Sequence, residues 1–284
     1  PWRMWTAADL AREAQPYTAQ PDQPVRRVLV VGDSTAVGTG ANAPLDSLPG
    51  RIGQDHPKWH IDNLAANGAR YADVAAQLER ASAGYDLVLV LAGGNDVIRL
   101  TALDTLRPEI EQVVTLAQQK GQHVVLMPCG NVGHAPFFIP PVSWVMSHRS
   151  EDLHAIVKDV AATRQARYVR LLKPRHEDPF VARSKALNAA DGLHPSGLAY
   201  ADWTALALPF AERLLWEKIV AASLTEATPL FDLQGMAASA AEAHALSRLW
   251  NIRPAGAQLA DETRLFAGWQ LEFDKRCRAA GWSD

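Results

Sequence analysis

The sequence predicts an α/β protein: a three-layer α/β/α sandwich built on a parallel sheet, with a helical extension at its C-terminal end. Three observations lead there. Short, nearly uninterrupted Val/Leu runs recur along the first two thirds of the chain, helical patterns stand between them, and the loops after the runs carry the residues of chemical interest. Strands covered on both faces read as continuous apolar runs rather than alternating ones, because crossover helices bury both sides of a parallel sheet. In such sheets, sites gather at the carboxyl ends of the strands.

The elements follow in order. A short amphipathic helix is expected in "TAADLAREA", then the Pro/Gln-rich linker "QPYTAQPDQP", so that residues 1–24 form an N-terminal helix and linker. Strands are expected at Val28 to Val31, Leu87 to Leu91, Val124 to Met127 and Tyr168 to Leu172, with a weaker one at Trp59 to Leu64. Between them, helical spacing of apolar residues marks "ARYADVAAQLERA" from Ala69, "LDTLRPEIEQVVTLAQQKG" from Leu103 and "SEDLHAIVKDVAATRQAR" from Ser150. A last core helix follows "HPSG" and runs through "LLWEKIVAASL", interrupted or kinked at Pro209. The main domain is expected to span residues 25–222 and the extension residues 223–284, where Leu265, Phe266, Trp269 and Phe273 recur at helical spacing. That stripe is expected to pack on the main domain, with a lid or a homodimer contact as the alternatives.

Composition narrows the partners. A chain of 284 residues, 48% hydrophobic and 21% charged, has length for a full core, and a net charge of −3 supplies no basic surface for a phosphate backbone. Nucleic acid is therefore not an expected partner. The two cysteines, Cys129 and Cys277, lie far apart in unlike surroundings and read as free thiols. No run approaches the ~18 apolar residues of a transmembrane helix. A cytoplasmic location is preferred, a periplasmic or membrane-anchored one being the alternative should an anchor have preceded Pro1. His56 and His60 stand four apart, but Pro57 and strand-like flanks argue against a metal pair, and no other metal-ligand spacing occurs.

Four short segments carry the chemistry. In "VVGDST" a hydroxyl, Ser34, directly follows a buried strand, where it is either a turn residue or a nucleophile. The hydrolase elbow Gly-x-Ser-x-Gly fails at Ala36, and the dinucleotide fingerprint fails because Gly38 and Gly40 come too late. In "NLAANGAR", Gly68 can offer an unobstructed N–H to an anionic oxygen or be an ordinary turn glycine. In "LVLVLAGGNDV", Asn95 offers an amide donor at the same sheet edge, while Asp96 braces its loop. In "DGLHPSG", Asp191 and His194 are three residues apart, so that the carboxylate can take the imidazole Nδ1–H and leave Nε2 to accept a proton.

Together and in this order, over about residues 25–215, these segments resemble the SGNH hydrolase superfamily, the GDSL esterases and lipases. The family's serine falls on Ser34, its glycine on Gly68, its asparagine on Asn95, its histidine on His194 and its aspartate on Asp191; Thr35 stands where leucine is familiar. The resemblance implies a flavodoxin-like sandwich with a five-stranded sheet ordered 2-1-3-4-5. It also implies a Ser34-His194-Asp191 triad and an oxyanion hole of Ser34 N–H, Gly68 N–H and the Asn95 amide. The expected activity is hydrolysis of small-molecule carboxylic esters with no cofactor and no metal: short-chain acyl esters, with thioesters or lysophospholipids also in range. The alternatives are a carbohydrate O-deacetylase or O-acyltransferase on the same site, and a binding module acting through the C-terminal helices. The loop "GNVGHAPFFIPPVSW" places His134, Phe137, Phe138, Ile139 and Trp144 as candidates for the substrate pocket, against the alternative that they pack the loop onto the domain.

Overall fold

The structure is a computed structural model and describes residues 2–207. The chain divides into two compact units, Pro1–Ala211 and Glu212–Asp284. The continuation of the last helix past 207, the expected extension at 223–284 with its Leu265 to Phe273 stripe, Cys277 and any dimer contact lie outside the described residues.

Helix α1 (Trp2–Glu13) opens the chain, and the linker behind it is pinned to the sheet edge where Ala19 bridges Ile61. The core alternates as its apolar runs predict: β1 (Arg26–Gly32), α2 (Ser34–Val37), α3 (Leu48–Asp55), β2 (Trp59–Asn63), α4 (Tyr71–Arg80), β3 (Tyr85–Leu91), α5 (Gly94–Ile98), α6 (Leu103–Lys120), β4 (Gly121–Leu126), α7 (Val142–Thr163) and β5 (Arg167–Tyr168). Short helices α8 (Pro179–Ala182) and α9 (Ser184–Leu187) precede α10, which starts at 197 and is described through 207. The sheet has five strands in the order β2-β1-β3-β4-β5, and every pairing is parallel. The reversal between β1 and β3 opens a crevice at their carboxyl ends, which is where ligands bind in doubly wound sheets.

Burial explains the runs. Val28 to Val31 and Val88 to Val90 are all nearly inaccessible, and one face of β1 and β3 packs on α4, α6 and α7 through Leu29, Val31, Leu78, Ile110, Val114 and Leu153. Each such side chain contributes roughly 1.5 to 3 kcal/mol by leaving water. Two expectations require correction. The strand expected at Tyr168 to Leu172 is only two residues long, Arg167–Tyr168. Strand β4 ends at Leu126, whose carbonyl takes the Val169 N–H at 2.9 Å, so no ladder remains for the residues that follow. Helix α7 begins at Val142, eight residues before Ser150, because the turn after Pro140 and Pro141 already buries Ser143 and Met146 against the core.

Candidate active site

Strand β1 delivers Ser34 to the crevice through a turn that admits only glycine at its first position. Gly32 has φ +147°, and a Cβ there would lie 1.9 Å from the Leu91 carbonyl oxygen of β3. The Gln77 side chain clamps the same residue, accepting from Gly32 N–H at 2.8 Å and donating to its carbonyl at 2.9 Å. Asp33 then caps α2: one carboxylate oxygen accepts from Thr35 N–H at 2.8 Å and from the Thr35 hydroxyl at 2.7 Å. Thr35 thus fixes the turn through its hydroxyl. Burial pushes the Asp33 carboxyl up, against the opposing pull of these bonds.

The loop from 188 to 196 brings Asp191 and His194. Asn188 bridges Pro195 in antiparallel fashion, Ala189 N–H donates to the His194 carbonyl at 2.8 Å, and Gly192 N–H donates to Ala189 at 2.9 Å. Asp191 is fully buried, and one of its oxygens accepts from Leu193 N–H at 2.9 Å and His194 N–H at 3.0 Å. The other lies 2.5 Å from His194 Nδ1, and His194 Nε2 lies 3.1 Å from Ser34 Oγ. Burial alone would raise the Asp191 carboxyl, but its bond to His194, the imidazole charge and the two backbone N–H groups outweigh it and hold it below its ordinary 3.8. The two loops, 160 residues apart in sequence, meet where Gly40 passes the catalytic loop; a Cβ there would stand 2.3 Å from the Pro195 carbonyl. Tyr200 of α10 locks the junction by donating to Thr39 O at 2.9 Å. Gly40 therefore serves close approach rather than loop freedom.

Gly68 and Asn95 complete the arrangement. Among the described residues neither Ser34 N–H nor Gly68 N–H meets a protein acceptor, and one N–H of the Asn95 amide goes to Ala69 O at 3.2 Å, leaving the other for a ligand. Asp96 behaves as a brace: it is buried and accepts from Tyr71 N–H at 3.2 Å and Thr101 hydroxyl at 3.0 Å, with burial lifting its carboxyl to about 6. All three residues border the same cavity, and free donors of this kind are what a developing negative charge on a carbonyl oxygen needs.

Ser34, Gly68, Asn95 and His194 all open on one cavity of about 370 Å³. Its remaining walls differ from those the sequence suggested. His134, Phe137, Phe138 and Trp144 do not line it. His134 is buried with Nδ1 2.5 Å from Asp178, Phe137 and Phe138 meet edge to face at 5.0 Å with Phe138 against the core, and Trp144 projects from α7 with 67% of its surface exposed. The aromatic loop closes its own packing. Phe137 reaches the catalytic loop through its backbone, donating to Gly192 O at 2.9 Å.

The walls instead include Ala7, Ala8 and Ala11 of α1, Phe180 of α8, and Trp203 and Leu206 of α10. They come from segments with no common pattern in the sequence. Cys129 also lines the cavity, yet it is buried, and burial with the nearby Asp33 and Asp96 carboxylates pushes its thiol far up and keeps it protonated. A neutral thiol is a poor nucleophile. His56 stacks on Trp59 at 3.9 Å while His60 bonds Asp62 at 2.8 Å, so the two do not converge. Among the described residues no cluster suits a metal, and no helix is long and apolar enough to cross a membrane.

Comparison with known proteins places this geometry in a family. The model of the GDSL-like Lipase/Acylhydrolase family matches residues 30–201. Among solved structures, a protein from Lactobacillus plantarum is 18% identical, with 67% of this chain covering 98% of that one at a TM-score of 0.57. TesA is 22% identical, with 66% of this chain covering 99% of it at a TM-score of 0.50. At these identities the likeness is one of fold. No curated protein matches the chain by sequence.

Proposed function

The chain belongs to the GDSL-like lipase/acylhydrolase family, and on that premise we propose that it is a serine esterase cleaving carboxylic esters through an acyl-enzyme on Ser34. The observation that carries this reading is the unbroken line of hydrogen bonds from Asp191 to His194 at 2.5 Å and on to Ser34 at 3.1 Å, ending at the wall of a cavity. His194 Nε2 removes the Ser34 proton as Oγ attacks the ester carbonyl, and Asp191 steadies the imidazolium. The oxyanion is met by the N–H groups of Ser34 and Gly68 and by the Asn95 amide. His194 then protonates the leaving alcohol, which departs with the acyl group left on Ser34. Water, activated by the same imidazole, releases the acid and restores the serine.

The apolar part of the lining, which includes Ala7, Ala8, Ala11, Phe180, Trp203 and Leu206, supports an acyl ester, while Asn67, Asn131, Lys173, Asn188 and Asp202 in the same lining keep a carbohydrate O-deacetylase or O-acyltransferase as the second reading. The test is hydrolysis of p-nitrophenyl acetate and butyrate by the purified chain, combined with fluorophosphonate treatment and mass spectrometry. The expected result is ester cleavage, an adduct on Ser34, and only background activity for Ser34→Ala. Equal rates for wild type and Ser34→Ala, or an adduct on Cys129, would overturn the assignment. An unlabelled Ser34 would instead favour a binding module.

A further inference from the structure

We propose that helix α1 is the acyl-binding wall of this site, and that the ester it selects carries an acyl chain several methylenes longer than acetyl; the inference rests on Ser34 being the nucleophile. Helix α1 (Trp2–Glu13) lies outside residues 30–201 matched by the family model, yet Ala7, Ala8 and Ala11 share the cavity with Ser34, Gly68, Asn95 and His194. Their spacing places them on one helical face.

Ordinary packing is only partly followed in this helix. A helix held on a protein surface usually turns its bulky apolar side chains inward. Here Met4 and Trp5 are 67% and 71% exposed and Leu10 is half-buried, while the three α1 residues that line the cavity, half-buried Ala7 and Ala11 and exposed Ala8, carry only methyl groups. Short side chains on the inner face keep volume open that larger ones would fill.

The helix is fixed to the catalytic machinery at both ends. Asn67 Nδ2 donates to Ala11 O at 2.7 Å, and Asn67 in turn accepts from the Thr39 hydroxyl at 2.6 Å. Asn67 adjoins Gly68, so this end of α1 is tied to the oxyanion loop. At the other end the Arg3 guanidinium donates to Pro136 O and lies beside Gly192 of the catalytic loop. Methyl groups of α1 and apolar side chains of Phe180, Trp203 and Leu206 thus belong to the apolar part of the lining around Ser34, beside the polar side chains of Asn67, Asn131, Lys173, Asn188 and Asp202. An acetyl group would leave most of its 370 Å³ unfilled, whereas each further buried methylene is worth about fourfold in kcat/KM.

The test compares kcat/KM for p-nitrophenyl acetate and p-nitrophenyl octanoate in wild type, Ala7→Trp, Ala11→Trp and Ala11→Leu, with Glu13→Trp on the exposed side as control. The wild type is expected to prefer octanoate. Filling the wall is expected to lower the octanoate-to-acetate ratio about tenfold or more, the loss of roughly two methylene contacts, while Glu13→Trp keeps the wild-type ratio. Circular dichroism and fluorophosphonate labelling of Ser34 identify variants that fold with the nucleophile intact, and Ala11→Leu serves where a tryptophan does not fold. A wild-type preference for acetate, or equal loss on both esters in folded variants, overturns the proposal. So does a change in the ratio of naphthyl to phenyl acetate without a change in acyl preference, which would put the alcohol against α1. If the wild type cleaves no ester and Ser34 stays unlabelled, the reading of Ser34 fails first, a result distinct from an unaltered chain-length profile.

Discussion

Replacing Asp191 by asparagine separates its two tasks. One carboxylate oxygen accepts from the N–H groups of Leu193 and His194 at 2.9 and 3.0 Å, and the other lies 2.5 Å from His194 Nδ1. The asparagine carbonyl can keep the two backbone bonds, so the loop holds its shape. Its amide must then face Nδ1 as a donor. The imidazole answers by placing its proton on Nε2, which points at Ser34 Oγ 3.1 Å away and can no longer accept the serine proton. A triad with its histidine in the wrong tautomer loses about 10⁴ in rate, equivalent to about 5.5 kcal/mol of transition-state stabilisation. The expected outcome is a kcat for Asp191→Asn about 10⁴ below wild type on p-nitrophenyl butyrate at pH 7.5, with KM within a few-fold and the thermal midpoint within a few degrees. If Asp191 merely shapes the loop, the variant retains kcat to within about tenfold, and the general-base reading of His194 fails. Because the Asp191 carboxyl is held below 3.8, it stays ionised through the neutral range and does not itself limit activity there.

Two further outcomes concern stability. Gln77→Leu strands the buried Gly32 N–H, held by Gln77 at 2.8 Å, while the Gly32 carbonyl keeps its bond from Ala66 N–H at 3.1 Å, and should cost about 2 kcal/mol in urea unfolding; a loss under about 0.5 kcal/mol would mean the clamp is dispensable. Buried Asp96 and His154 should act in opposite senses: Asp96, lifted from 3.8 to about 6, favours the folded state less as pH rises from about 4 to 6, while His154, lowered from 6.5 to about 4, loses stabilisation as pH falls through that range. Relative to wild type, Asp96→Asn should gain stability with pH more steeply between pH 4.5 and 6.5 and His154→Phe less steeply, by up to about 3 kcal/mol each; parallel pH profiles would refute the assignment.

The candidate site was legible in the sequence because each of its parts is local. A buried parallel strand writes itself as an apolar run, and the loop after it carries its functional residue within a few positions. Val28 to Val31 therefore announces Ser34, Leu87 to Leu91 announces Asn95, and the three-residue step from Asp191 to His194 carries its own hydrogen bond. What supports these residues was not legible. Gln77 reaches Gly32 from the middle of α4, 45 positions away, and nothing in "DVAAQLER" marks that glutamine as different from a solvated one. The short β5 was hidden for a similar reason: Val169 to Leu172 is apolar enough for a strand, but its partner β4 has already ended at Leu126.

The cavity was misplaced for a physical reason of the same kind. Aromatic density drew attention to Phe137, Phe138 and Trp144, but large rings near a site can equally be used up in packing, and here the first two pair with each other while the third faces outward. A binding space is defined by where bulk is missing. Ala7, Ala8 and Ala11 leave room, and alanines on a short N-terminal helix read in sequence as nothing more than helix propensity. The hydrogen bonds from Asn67 to Ala11 O and from Arg3 to Pro136 O hold that helix beside Gly68 and the 188–196 loop, where its three alanines line the cavity. On the proposed reading, selectivity rests on a segment outside residues 30–201 matched by the family model, so that chain-length preference changes through α1 while Ser34, Asp191 and His194 stay as they are.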